Sequence, residues 1–507
     1  MKIEGYIDSC SVHGIFGWVL DRDHPQQRLR LRLYRDTKPL GDFLADRFRQ
    51  DLADGQLGDG CCAFEIALPP LAGGTDLGAL RLYVLGTDYF FPLRVGRPVS
   101  GQTAAETYAE ESARLHSAGL HWRKFPNCLL HIGTEKTGST SLQRFFAMNR
   151  EVMLDNGYFV PRSLAPASDD AILNHSRLAT LSMSDHRFDD DLRREEGVVD
   201  GPGLNQYRRG VFADLCREIA SAPPGCRTLL LSNEHCHSRL ETAEEVRNLW
   251  DFVRHFGEAT RVVVYLRPQH ELAMSQYGMS LANGICDIDM FPPLPPPAGY
   301  GKREYTNRSH FDYAALLDRW SQVFGERSVE PRIYSAASMK DGDVISDFAY
   351  RIALPDCPRP AKRWNTNVTA RAQAFLVEFH RMLDALEGPG APLLRARVRN
   401  AVLARFPGSG ALPARAEAKA FFEQFAEGNE AVRHRWFAHL DQLFDVDFGK
   451  YPEAGEAVVL GARELLEMFV QILLQDQSLE YGLRTADLQR MLEERRAPRP
   501  GDDAGAH

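Results

Sequence analysis

The sequence predicts an α/β protein, with a parallel sheet flanked by helices, a small all-β domain before it and a mostly helical C-terminal region after it. Three observations carry this expectation. Short apolar runs at 128–132, 228–232 and 262–266 alternate with helical sequence such as 244–256, and strands alternating with helices imply a parallel sheet covered on both faces. Leu29-Arg30-Leu31-Arg32-Leu33-Tyr34 alternates apolar and charged side chains, the period of a strand with one buried face. After about Thr369 the chain reads mostly helical.

The 507 residues suit two or three domains. We expect a β domain over 1–98, a helical linker over 99–125, an α/β core over 126–370, helices of the same unit over 371–495 and a disorder-like tail over 496–507. In the first part, Gly17-Trp18-Val19-Leu20, residues 62–68 and residues 82–85 read as further strands. Gly, Pro and Asp clusters separate them, as in a sandwich or barrel. A helix is considered only around 44–52. The Ala/Glu-rich stretch 101–119 reads as a connecting helix, and Leu316, Leu317, Trp320 and Phe324 mark another after the Pro-rich break 291–301.

A 44% apolar and 25% charged composition is ordinary for a globular chain. The formal charge of −9 argues against a general nucleic-acid binder, although a local pocket can still hold an anion. Nine scattered cysteines without a CxxC pair read as reduced thiols packed in cores. The opening Met1-Lys2-Ile3-Glu4-Gly5-Tyr6 lacks the apolar run of a signal peptide, and no run approaches 18 apolar residues. A cytoplasmic protein without membrane spans is expected.

The chemistry concentrates in His131-Ile132-Gly133-Thr134-Glu135-Lys136-Thr137-Gly138-Ser139-Thr140-Ser141-Leu142-Gln143. A buried strand enters a Gly- and hydroxyl-rich turn that opens a helix, so backbone N–H groups and the helix dipole converge on one spot. Lys136 adds a full positive charge, and the natural ligand is a phosphate or sulfate. Gly133 and Gly138 have Walker A spacing, but Ser139 stands where that motif needs lysine.

A second element is Val262-Val263-Val264-Tyr265-Leu266-Arg267-Pro268 with Ser275 two helical turns on. Arginine reads phosphate through a planar fork of donors. Between the two elements, Leu231-Ser232-Asn233-Glu234-His235-Cys236-His237 ends another apolar strand. Ligands of open α/β sheets sit at such carboxyl ends, and Glu or His can serve as a general base. Glu234 is the first candidate and His235 the next, with His175 and His131 after them; an N-cap or structural role is the competing reading. His235-Cys236-His237 lacks a second ligand cluster, so no metal is expected.

The string 136–143 is similar to the 5′-phosphosulfate loop of the sulfotransferases that use 3′-phosphoadenosine 5′-phosphosulfate (PAPS), whose core is P-loop-like. The resemblance implies that Lys136, Thr137, Gly138, Ser139, Thr140 and Ser141 wrap the phosphosulfate, with Lys136 neutralising charge on the bridging oxygen. It also implies that Arg267 and Ser275 hold the 3′-phosphate. Residues 232–235, Ser-Asn-Glu-His, resemble the Ser-Ser/Asn-Glu-His of related bacterial sequences. Lys362-Arg363-Trp364-Asn365 is either a basic loop closing the nucleotide pocket or a solvated turn. Gly5-Tyr6-Ile7-Asp8, Gly17-Trp18, Asp21, Arg47, Asp51-Leu52 and Ala63-Phe64 resemble a small β domain fused to bacterial glycan-modifying enzymes, where a carbohydrate-docking role and a structural one both stay open.

The expected activity is sulfuryl transfer from PAPS, as co-substrate, to a hydroxyl or amine of a carbohydrate or glycolipid. Membrane contact is expected only through a lipid-linked acceptor, and no nucleic-acid partner is expected. The alternatives are a P-loop kinase or other nucleotide-binding enzyme, and a non-catalytic glycan-binding protein that keeps the fold.

Overall fold

The computed structural model describes residues 3–11, 14–35, 38–49, 52–53, 57–67, 80–87, 89–91, 102–166, 171–184, 187–188, 190–286, 288–294, 308–360, 367–386, 391–456 and 458–475. The Lys362–Asn365 element, the 98/99 boundary and the tail from 496 lie outside them.

Two antiparallel sheets form the N-terminal part. One joins β1 (Ile3–Ser11), β2 (Gly14–Asp21) and β5 (Ala63–Ala67); the other joins β3 (Arg30–Arg35), β4 (Lys38–Leu44), β6 (Leu80–Val84) and β7 (Phe90–Phe91). In β3 the alternation works as expected. Leu31 and Leu33 are buried against Ile15, Phe64 and Ile66 of the other sheet, while Arg32 pairs across to Asp42 on the outer face. The stretch just after Leu44 is not helical, because Arg47 bridges back to Ala63; a helical turn comes only at its end, where the Ala53 N–H donates to the Arg49 carbonyl.

A helix, α1 (Ala104–Ser117), begins at a capping box in which Thr103 and Glu106 exchange hydrogen bonds. The central sheet follows. Its strands are β8 (Phe125–His131), β9 (Tyr158–Phe159), β10 (Thr228–Ser232), β11 (Gly257–Leu266) and β12 (Val329–Ile333), in the order β12-β11-β8-β10-β9. Every pairing is parallel. Helices cover both faces: α2 (Ser139–Met148), α3 (Gly201–Ala220), α4 (Ala243–Val253), α5 (Gln269–Ala282), α6 (Tyr313–Phe324) and α7 (Val344–Arg351).

Alternate residues of each strand enter different cores. Leu130, Leu229, Leu231, Val262 and Val264 join one; Leu129, Leu230, Val263 and Tyr265 join the other. Two-sided burial is why these strands read as continuous apolar runs. The edge strands do not. β9 is two residues long, and β12 is Val-Glu-Pro-Arg-Ile, whose proline is tolerated at a sheet edge.

Beyond Thr369 lie α8 (Ala370–Leu386), α9 (Ala391–Arg405), α10 (Arg415–Glu423), α11 (Ala426–Trp436) and α12 (Ala462–Gln475). Phe421, Phe425 and Val432 of this region pack into the same core as the sheet. Among the described residues, six of the eight free thiols are buried, and no helix is long and apolar enough to cross a membrane.

The first strands and β6 close a core of their own. Deletion of residues 1–98 is therefore expected to leave a chain with one cooperative thermal transition and unchanged anion binding. Circular dichroism melting and calorimetry on the shortened protein check this; an insoluble product would show that the two parts need each other.

Candidate active site

β8 is the middle strand, and the chain leaves it first toward β9 and β10 and later toward β11 and β12. The carboxyl ends of β8, β10 and β11 thus meet at the switch point where open α/β sheets form a crevice. A cavity of about 680 Å³ opens there, within the usual size of a small-molecule site.

The loop after β8 is bent by three residues with left-handed backbone: Gly133 (φ 95°), Lys136 (φ 62°) and Gly138 (φ 81°). A Cβ at Gly133 would lie 3.2 Å from the Glu234 Cα, and one at Gly138 would lie 2.8 Å from the Val344 Cγ1. Glycine is required at both for close approach as well as for φ. The loop is pinned to β11: the Thr134 N–H and hydroxyl both donate to the Tyr265 carbonyl, at 3.1 and 3.0 Å. Gly138 precedes α2 without any side-chain cap. The first-turn N–H groups of α2 therefore remain for another acceptor.

Lys136, Gly138, Ser139, Thr140 and Ser141 all line the cavity. Thr137 does not; its buried hydroxyl donates to the Thr134 carbonyl at 2.6 Å and braces the turn. Burial pushes the Lys136 ammonium down to about 8, with the positive Arg267 adding to this and the carboxylates of Glu135 and Glu234 opposing it.

Arg267 and Ser275 line the same cavity. The Arg267 guanidinium donates to the Lys136 carbonyl at 3.2 Å and to Glu271 at 3.3 Å. Glu271 also accepts from Lys450 at 2.7 Å. The Arg267 carbonyl accepts the Tyr313 hydroxyl at 2.6 Å.

Glu234 and His235 form part of the wall that continues β10. One Glu234 oxygen accepts from the buried Gln143 amide at 2.5 Å. His235 Nδ1 lies 3.7 Å from a Glu135 oxygen. Burial disfavours an imidazolium here, but Glu135 and the charge of Glu234 outweigh it and raise the His235 pKa.

The other histidines are structural. His175 Nδ1 accepts the Ser232 N–H at 3.0 Å while Nε2 donates to the Pro161 carbonyl at 2.8 Å, and burial pushes it down to about 4. His131, buried next to Ser232, is likewise pushed down to about 4. His237 turns away from the cavity wall and donates to the His310 carbonyl at 3.0 Å. Cys236 is buried with its thiol on Asn233, so residues 235–237 do not converge on one point.

Several lining residues were not anticipated. Met279 and Asn283 extend the face of α5 that carries Ser275, at spacings of four and eight residues that a helical wheel on Ser275 would have shown. Tyr334 follows β12, the strand hidden by its polar sequence. Asp191 and Arg239 face each other at 3.4 Å on the far side, and no local pattern marks them.

Lys136 generates a pH prediction. With its pKa lowered, it loses charge as pH rises through about 8, rather than near the usual 10.4. Binding of inorganic sulfate, which does not titrate in this range, is expected to weaken by up to roughly tenfold per pH unit above 8. Proton uptake should accompany binding there. Lys136→Arg, which stays charged, should flatten the dependence; calorimetry in buffers of differing ionisation enthalpy measures both effects.

No protein-family model matches the chain, and no curated protein does. Among solved structures, a sulfotransferase from Alicyclobacillus acidocaldarius is similar over 62% of this chain and 96% of its own, at 13% identity and a TM-score of 0.33. The sulfotransferase domain from the curacin biosynthetic pathway is similar over 46% of this chain and 77% of its own, at 13% identity and a TM-score of 0.26.

Proposed function

We propose that this chain transfers a sulfuryl group from PAPS to a hydroxyl or amine acceptor of a carbohydrate or glycolipid. The observation that carries the reading is that the Lys136 loop and the Arg267/Ser275 pair line one cavity at the ends of adjacent strands. These are two anion-binding elements for a donor with two anionic ends. The 5′-phosphosulfate is assigned to Lys136, Gly138, Ser139, Thr140 and Ser141, with Thr137 bracing the turn behind them rather than facing the cavity, and the 3′-phosphate to Arg267 and Ser275.

Sulfuryl transfer, like phosphoryl transfer, needs in-line positioning and neutralisation of charge more than covalent help. The acceptor oxygen or nitrogen attacks sulfur while the bond from sulfur to the bridging phosphate oxygen breaks. Lys136 and the uncapped first turn of α2 face the side on which negative charge grows. Glu234 and His235 stand on the β10 side, where an acceptor proton must be taken. The lysine's position in the loop, two residues before Gly138, argues for this reading over a Walker-type kinase.

Lys136→Ala is expected to lower turnover by about 10²–10³-fold without unfolding the chain. The measurement is transfer of labelled sulfate from PAPS in an acceptor screen, and near-normal turnover would remove Lys136 from the mechanism. Arg267→Ala should weaken 3′-phosphoadenosine 5′-phosphate by about 1.5–3 kcal/mol, and adenosine 5′-phosphosulfate, which lacks the 3′-phosphate, far less. Calorimetry with both nucleotides decides; tighter binding of magnesium–ATP than of either would favour a kinase.

A further inference from the structure

Glu135 is a carboxylate beside Lys136, inside a loop otherwise built for an anion. It lines the same cavity, on the side of the element after β10, where one of its oxygens lies 3.7 Å from His235 Nδ1. At that ion-pair distance Nδ1 is buried and makes no hydrogen bond in this structure, so the Glu135 carboxylate is the acceptor it faces, and Nε2 is left as the proton-accepting edge of a residue that lines the cavity.

We propose that His235 takes the acceptor proton, that Glu135 positions and charges it, and that Glu234 holds the wall of the site instead; this rests on the reading under Proposed function. Glu234 is already occupied. Its carboxylate accepts from Gln143, a side chain only 1% exposed on α2, and its backbone packs where Gly133 has no side chain. Glu135 stands at ion-pair distance from His235, close enough for the carboxylate to stabilise the imidazolium formed during the reaction and, on a small approach, to orient the ring.

The surrounding charges fit. Glu234 and Glu135 favour the imidazolium and Arg239 opposes it. Asp191 feels the His235 charge from the neighbouring helix Asp191–Glu195. His310, facing Glu135 from the 3-10 helix Arg308–His310, is pushed down by burial and adds no lasting positive charge. Glu135 is half-buried, which opposes its charge, yet His235 and Arg239 hold its carboxyl well below the usual range. In the step, the acceptor O–H or N–H proton passes to His235 Nε2 as the acceptor–sulfur bond forms. The electron pair of the breaking sulfur–oxygen bond leaves on 3′-phosphoadenosine 5′-phosphate, and the imidazolium later releases its proton to water.

The test combines histidine ¹³C NMR titration of the full chain, with His235 assigned from its loss in His235→Asn, and the pH profile of kcat/KM with PAPS. In the wild type His235 should titrate above the ordinary value. Glu135→Gln should lower that titration by about one pH unit, move the acid limb of the profile the same way, and cut kcat with donor KM nearly unchanged. Glu135→Asp, which keeps the charge, should restore most of the shift. Glu234→Gln should retain more activity than His235→Asn. An unmoved His235 titration in Glu135→Gln, or a larger loss in Glu234→Gln than in His235→Asn, overturns the proposal. Failure of the wild-type protein to bind 3′-phosphoadenosine 5′-phosphate would instead overturn the parent reading, while the titration still decides whether Glu135 charges His235.

Discussion

The hydrogen bond from the Arg267 guanidinium to the Lys136 carbonyl ties together the two elements on which the site depends. Lys136 is a non-glycine residue in left-handed backbone, a conformation that costs roughly 1–2 kcal/mol and persists only where its surroundings fix it. Three things do so here: the guanidinium, the Thr134 contacts to the end of β11, and the Thr137 brace. The ammonium that loses hydration through burial is thereby held at one place, and the arginine that holds it lines the same space.

Burial treats the histidines around this floor differently according to their neighbours. His131, His175 and His237 meet hydroxyl, amide or carbonyl groups, whose support for an imidazolium does not offset the burial that pushes all three down. His235 alone among these four sits between two carboxylates. The same apolar sheet thus keeps three rings neutral and one chargeable.

How much of this was legible in the sequence follows from where each residue lies. The central strands, buried on both faces, announce themselves as Leu- and Val-rich runs. The loop and Arg267 are equally visible because Gly, Lys and hydroxyl residues are confined to a few consecutive positions at strand ends. β12 was hidden because an edge strand with one exposed side can carry Glu, Pro and Arg. Tyr334 was lost with it. Glu135 stood in plain view within the loop, but its importance depends on His235, 100 residues away in sequence. No spacing rule connects two such positions; only the pairing of β8 with β10 does.

The contacts behind Arg267 reach much farther along the chain. Gln269 exchanges amide hydrogen bonds with Asn429 across 160 residues, and Glu271 meets Lys450 across 179. Such distant contacts are the slow part of folding, since their loops must close before they stabilise anything. During synthesis, where N-terminal parts fold first, β8 and its loop can form while the supports of the arginine are still unmade. The nascent chain thus acquires one wall of the cavity early and the other only when its C-terminal helices have emerged, so the fold is assembled from its sheet outward and is completed last at the cavity.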